Sequence, residues 1–312
     1  MGSLRGVADY IPTSHGPMHQ VDFGGTGPSL VLIHGLGGST TNWNAVAPAI
    51  TRLGKTRAID LPGFGLTPPR QDFHVETHRD SVIGYLETLD DPPHTLIGNS
   101  SGGLLAELVA GARPDLVDRL VLVSPATPPV FPDPRLDWPT VIRLAVQATP
   151  FLGEFYGRYF LHSNTPEELV RKSLEMITHK PGRVPMTVIE DSREMATIRK
   201  QLPWAEHATA RTATSIAVLY ARRFSFVRIV RSIEAPTLVI QGSSDRIVSP
   251  TAIRWLCSLR PDWAHVELAD TGHTPQMDAP LRFIEVLSEW MVNTDTRSTK
   301  VLSAGIESLT PN

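Results

Sequence analysis

The stretch His94-Thr95-Leu96-Ile97-Gly98-Asn99-Ser100-Ser101-Gly102 decides the fold. A short apolar run ends in Gly-x-Ser-x-Gly, and a helical pattern begins at Ser101 and continues to Ala112. A strand that must reverse at once into a helix forces its central residue into a strained backbone conformation. Only small neighbours permit that, hence a glycine two positions before the serine and another two after. The hydroxyl of Ser100 is then lifted to the strand's carboxyl end. There it meets the amino end of a helix, whose dipole favours developing negative charge. A plain Gly-rich strand-to-helix turn is the bland alternative; the placement between strand and helix speaks for the chemical one.

Outward from this stretch, the chain alternates short apolar runs with longer helical patterns. The runs expected as strands are Ser29–His34, Lys55–Asp60, His94–Gly98, Arg119–Ser124, Pro236–Gln241 and Ala264–Leu268. Their near-continuous Val, Leu and Ile suits strands covered on both faces. The alternation argues for parallel strands joined by crossover helices, and helices are expected over 42–52, 75–89, 101–112, 250–258 and 280–292. The fold class is therefore α/β, a mostly parallel sheet flanked by helices. Between Pro125 and Ile233 the strand rhythm stops. A Pro-rich lead gives way to helical patterns over 165–179 and 210–233, so 125–233 is expected as a helical cap inserted into a core of 1–124 and 234–293. Ligands bind at the carboxyl edge of such sheets, and the cap is expected to cover it. Residues 294–312, rich in Ser and Thr, are expected to be a disordered tail.

Composition narrows the function. The 312 residues carry 41% hydrophobic and 20% charged side chains and a net charge of −3, without the strongly basic character of a nucleic-acid binder. With one cysteine, Cys257, no internal disulfide can form. Met1 to Tyr10 has no apolar signal-peptide core, and no run is long enough to span a membrane. A soluble, cytoplasmic protein acting on a small-molecule substrate is expected, with no nucleic acid and no metal; the oligomeric state is left open.

A serine hydroxyl is a poor nucleophile until a base removes its proton. His273, in Leu268-Ala269-Asp270-Thr271-Gly272-His273, follows the last strand, where loops converge on Ser100, and is expected to be the base. It needs an acid to fix its tautomer. Asp245, in Gln241-Gly242-Ser243-Ser244-Asp245, follows the preceding strand and fits; Asp270 reads as a turn former, and Asp133 is a less favoured position. Two backbone donors should hold an oxyanion: the amide of Ser101, and that of Leu36 in His34-Gly35-Leu36-Gly37-Gly38. His34 reads as structural, and Cys257 as packing. Trp43, Trp138, Phe155 and Tyr159 are expected to shape a substrate pocket, although aromatic residues at such spacing also pack helices together. Arg222 and Arg223 read as a solvated face.

These pieces, with Asp60-Leu61-Pro62-Gly63-Phe64-Gly65, resemble the α/β-hydrolase fold superfamily, whose elbow motif and Ser, Asp, His chain order they share. The resemblance covers most of the chain except the cap. It implies a carboxylesterase-like serine hydrolase without cofactor, and a structural role for the Asp60–Gly65 loop. Ser100 excludes the haloalkane dehalogenase and epoxide hydrolase relatives, which need a carboxylate at that position. Carbon–carbon bond hydrolases of ring-cleavage pathways stay open, although they commonly carry Trp after the histidine where this chain has Thr274. A receptor-like member with little turnover is the remaining alternative.

Overall fold

The computed structural model describes residues 6–90 and 92–307. Eight strands form one sheet in the order β1-β2-β4-β3-β5-β6-β7-β8: β1 Val7–Ile11, β2 Met18–Gly24, β3 Ser29–Ile33, β4 Lys55–Ile59, β5 His94–Asn99, β6 Val117–Val123, β7 Thr237–Gly242 and β8 Ala264–Leu268. From β4 to β8 all pairings are parallel. β1 and β2, absent from the sequence reading, form an antiparallel edge against β4. The chain leaves β3 for β4 on one side and returns to β5 on the other. This reversal of direction opens a crevice at the strands' carboxyl ends.

The apolar runs explain the layers. Successive strand residues point to opposite faces, and here both faces are covered. Val31 and Ile33 join a cluster with Leu96, Leu120, Leu122 and Val239, under α2 Val75–Leu86 and α3 Ser101–Ala112. Leu30 and Leu32 join the opposite cluster with Ile97, Val121, Ile240, Trp43, Phe283 and Leu287. The four β3 residues Leu30 to Ile33 are fully buried. Each such side chain contributes roughly 1.5–3 kcal/mol, which is why the strand shows no alternation.

Helical boundaries depart from expectation where the backbone breaks. The stretch 42–52 is a short turn, Thr40–Trp43, followed by α1 Ala47–Ile50. Six helices lie between β6 and β7: α4 Trp138–Ala148, α5 Leu152–Ser163, α6 Pro166–Ile177, α7 Met186–Arg199, α8 Ala205–Ala221 and α9 Arg223–Ser232. The single helix expected over 210–233 is two, because Arg222 leaves helical geometry with ψ 48°. α6 starts as its sequence dictates, with Thr165 and Glu168 in a capping box and Pro166 in the first turn. After β7 come α10 Pro250–Ser258, α11 Pro275–Asp278 and α12 Pro280–Glu307. The stretch 294–312, expected as a disordered tail, is helical as far as Glu307; no glycine or proline interrupts 281–304, so nothing in the backbone stops propagation. Residues 308–312 lie outside the described residues.

Candidate active site

Ser100 sits between β5 and α3 with φ 55° and ψ −120°, a left-handed conformation costing of order 1–3 kcal/mol for a non-glycine residue. The flanking glycines make it possible. A Cβ on Gly98 would lie 2.3 Å from the Gly102 carbonyl oxygen, and one on Gly102 2.3 Å from that of Ile33. The amide of Ser100 donates to Val123 O at 2.9 Å, and its carbonyl accepts from Ala126 N at 2.9 Å and Leu104 N at 3.1 Å. The strained turn is thus hydrogen-bonded on both sides.

His273 and Asp245 come together at the carboxyl edge. Nδ1 of His273 lies 2.8 Å from Oδ2 of Asp245, and both residues are buried. Asp245 is fixed independently. Its Oδ1 accepts from the amides of Ile247 (2.8 Å) and Val248 (3.0 Å), and its Oδ2 accepts from Gln241 Nε2 at 3.0 Å. With Nδ1–H given to the carboxylate, Nε2 keeps a lone pair for a proton. The histidine loop is tied to the elbow: Asn99 Nδ2, next to Ser100, donates to the His273 carbonyl at 3.2 Å.

Leu36 and Ser101 line one small cavity with Gly35, Leu61, Phe64 and Leu104, roofed by Thr212 and Ile216 of α8. Its volume of about 10 Å³ is room for roughly one water. Gly35 is needed for the close approach, since a Cβ there would lie 3.1 Å from that of Ser100. His34 is structural: its Nδ1 donates to Gly35 O (2.7 Å) and its Nε2 accepts from Leu61 N (3.0 Å). Burial lowers its pKa despite the opposing pull of Asp60, so the ring is neutral. Behind the cavity wall, burial takes His78 down to about 3. Asp60 organises two loops at once, accepting from Thr40 N, Leu66 N and His19 Nδ1 at 2.7–2.9 Å.

The aromatic residues expected in the pocket are not there. Trp43 is fully buried on the opposite face of the sheet, with Phe283, because the Thr40–Trp43 turn closes onto α12. Trp138, Phe155 and Tyr159 are 58%, 72% and 65% exposed; the inner face of α5 is taken by Gly153 and Leu161 instead. Asp270 is the turn residue expected, with φ 54° and an ion pair to Lys180 at 2.9 Å. Asp133 is engaged elsewhere, accepting from Ser249 Oγ and Thr251 Oγ1. Burial, reinforced by Glu107, pushes the Cys257 thiol up to about 12, which makes it inert.

Two side chains that sequence reasoning missed frame the site. Arg199 of α7 donates to the Gly37 carbonyl at 3.0 Å and to Glu206 Oε1 at 2.6 Å, joining the inserted helices to the loop that carries Leu36. Asp278 accepts from Gly272 N (2.7 Å) and His179 N (2.8 Å).

A buried His–Asp pair on loops at a parallel sheet's carboxyl edge, tied to a strained serine turn, defines an α/β protein of hydrolase type. Residues 28–280 match the alpha/beta hydrolase fold family, and the chain belongs to that family. An uncharacterized protein of Mycobacterium tuberculosis is 28% identical over 309 residues, 94% of this chain and 85% of that protein. A 2-hydroxy-6-oxo-2,4-heptadienoate hydrolase of Pseudomonas putida is 25% identical, over 87% of this chain and 91% of its own length. Among solved structures, a putative lipase from Acinetobacter baumannii superposes with a TM-score of 0.75 at 23% identity, covering 94% of this chain and 93% of the other.

Proposed function

We propose that this chain is a serine hydrolase that cleaves a carboxylic ester of a small or medium apolar substrate through an acyl-enzyme on Ser100. The observation that carries the reading is the 2.8 Å contact between His273 Nδ1 and Asp245, on a loop that Asn99 binds to the serine turn. His273 takes the proton of Ser100 Oγ as the oxygen attacks the ester carbonyl. The backbone amides of Leu36 and Ser101 hold the oxyanion. The tetrahedral intermediate collapses, its C–O bond breaks, and His273 returns the proton to the leaving alcohol. Water, deprotonated by His273, then attacks the acyl carbonyl and releases the acid and the serine. Asp245 keeps the imidazole oriented and stabilises its charged form.

The core of this enzyme is 1–124 and 234–293, and 125–233 is its cap. The apolar lining beside Leu36 and Ser101, from Leu61, Phe64, Leu104 and Ile216, supports an apolar acyl group. Ser100→Ala is expected to abolish hydrolysis of short chromogenic esters and labelling by a fluorophosphonate, with an unchanged circular dichroism spectrum. Ester turnover near the wild-type rate in that variant refutes the reading. A second reading, hydrolysis of a carbon–carbon bond, is favoured by the likeness to the Pseudomonas putida hydrolase over nearly its whole length. A series of esters of increasing acyl length, run beside a vinylogous diketone acid, separates the two. A protein that the fluorophosphonate does not label, and that turns over neither substrate, belongs to a receptor-like class instead.

A further inference from the structure

Beside Asp245 the protein has a recess far larger than the cavity at Leu36 and Ser101. Its volume is about 500 Å³, within the range of roughly 300–1,000 Å³ usual for small-molecule sites. Three separate segments wall it. Arg135 comes from the lead into α4, His179 from the turn after α6, and Ser243 to Arg246 from the loop between β7 and α10. Two of these segments belong to the insertion between β6 and β7, and the third carries the candidate acid. Neither Ser100 nor His273 lines the recess, so it is distinct from the place where the proposed reaction occurs.

The walls are basic, in a chain whose net charge is −3. Asp245 is the one acid among the lining residues, and its carboxylate is fully engaged elsewhere. Oδ1 accepts from the Ile247 and Val248 amides, and Oδ2 from Gln241 and His273. The acids outside the walls are also engaged. Glu267 stands 3.9 Å from Arg135, beyond hydrogen-bond reach, and bonds Arg254 at 2.9 Å instead. Asp133 accepts from Ser249 and Thr251, Asp137 caps α4 through the Thr140 amide, and Asp270 is paired with Lys180. The donors are held ready. One bond from Nη2 to the Glu175 carbonyl anchors Arg246 and leaves most of its fork for a ligand. The Ser243 hydroxyl accepts from the Asp270 amide at 3.1 Å, which leaves its own proton to give. Spread over a convex surface, such groups would only be solvated. Converging on one concavity, two guanidinium forks and a hydroxyl suit a planar carboxylate or a phosphate, which they bond bidentately.

We propose that this recess binds a small organic oxyanion, a molecule bearing a carboxylate or phosphate group, between Arg135 and Arg246. The volume leaves room for the organic body as well as the charged group. The occupant touches both the insertion and the loop of Asp245, and so ties the inserted helices to the core. Binding goes beyond the proposed reaction and does not depend on turnover.

The test is thermal melting and titration calorimetry of the full chain with citrate and with inorganic phosphate, against sodium chloride at matched ionic strength. At least one oxyanion should raise the melting temperature saturably, as a ligand held only by the folded chain does, and chloride should not. A tighter citrate complex assigns the site to carboxylates, and a tighter phosphate complex to phosphates. In an Arg135→Gln, Arg246→Gln double variant the dissociation constant should rise about tenfold or more. Arg135→Gln alone gives up no side-chain hydrogen bond within the protein, so it tests the site without loosening the fold; it should weaken binding about threefold or more. Arg282→Gln, on exposed α12 beside Glu285, should bind as the wild type does. No saturable shift with either oxyanion, unchanged affinity in both recess variants, or an equal loss in Arg282→Gln overturns the proposal. None of these readouts uses Ser100, so failure of the hydrolase reading leaves the result interpretable.

Discussion

Arg199 makes hydrogen bonds to three groups on two separate segments: the Gly37 carbonyl, and the Glu206 carboxylate and Thr209 Oγ1 of α8. The first of these lies in the loop that would supply an oxyanion donor, so the guanidinium fixes where that donor points. Misplacing a catalytic group by an ångström costs about a hundredfold in rate. We therefore expect Arg199→Ala to lower kcat roughly tenfold to a hundredfold on short esters while KM moves little. Arg199→Lys should recover part of the loss through a single bond to Gly37. Equal falls in kcat and melting temperature for Ala and Lys alike would mark the residue as merely structural. The candidates Ser100, Asp245 and His273 were marked by motif and chain order, each within five residues of a strand's end. Arg199 was not, because its partner Gly37 is 162 residues away and neither residue type carries a signal.

At the scale of elements, α11 holds the histidine loop in place. Asp278, its last residue, is almost fully buried and accepts from Gly272 N and His179 N. Asp278→Ala leaves the buried Gly272 amide and the part-buried His179 amide without their acceptor, at a cost of about 2–4 kcal/mol. A urea denaturation midpoint lowered accordingly, with loss of activity below the unfolding range, is the expected result. β3, β5 and β7 were readable because apolar side chains run on through Leu30–Ile33, Leu96–Ile97 and Leu238–Ile240, as burial on both faces demands. β1 and β2 were not: β1 is exposed at four of its five positions, so no apolar pattern marks it. The aromatic residues of α4 and α5 misled for a related reason. Spacing identifies a stripe, but only tertiary packing decides whether it turns inward, and here glycines took the inner side.

Across the whole molecule, one buried carboxyl group sets a pH dependence. Glu107 of α3 is completely buried, and neither carboxylate oxygen has a hydrogen-bond partner. Burial holds its pKa well above the usual carboxylate range. Below about pH 4.3 the group is protonated in both the folded and unfolded chain, and folding loses nothing. As pH rises past that value the unfolded chain releases the proton while the folded chain keeps it, so stability falls until the folded group itself ionises. Glu107→Met removes this loss with little change of volume. We expect it to stabilise the protein by about 1–2 kcal/mol at pH 8, with a difference that shrinks toward pH 4, read from thermal melts at both. The backbone amide of His273 donates to the carbonyl of Ile177 at 2.7 Å, the last residue of α6. The histidine loop is therefore suspended from the helices inserted between β6 and β7. Replacing the insert with a foreign one must carry over the short tether around 177–180, or the loop that bears His273 loses its footing.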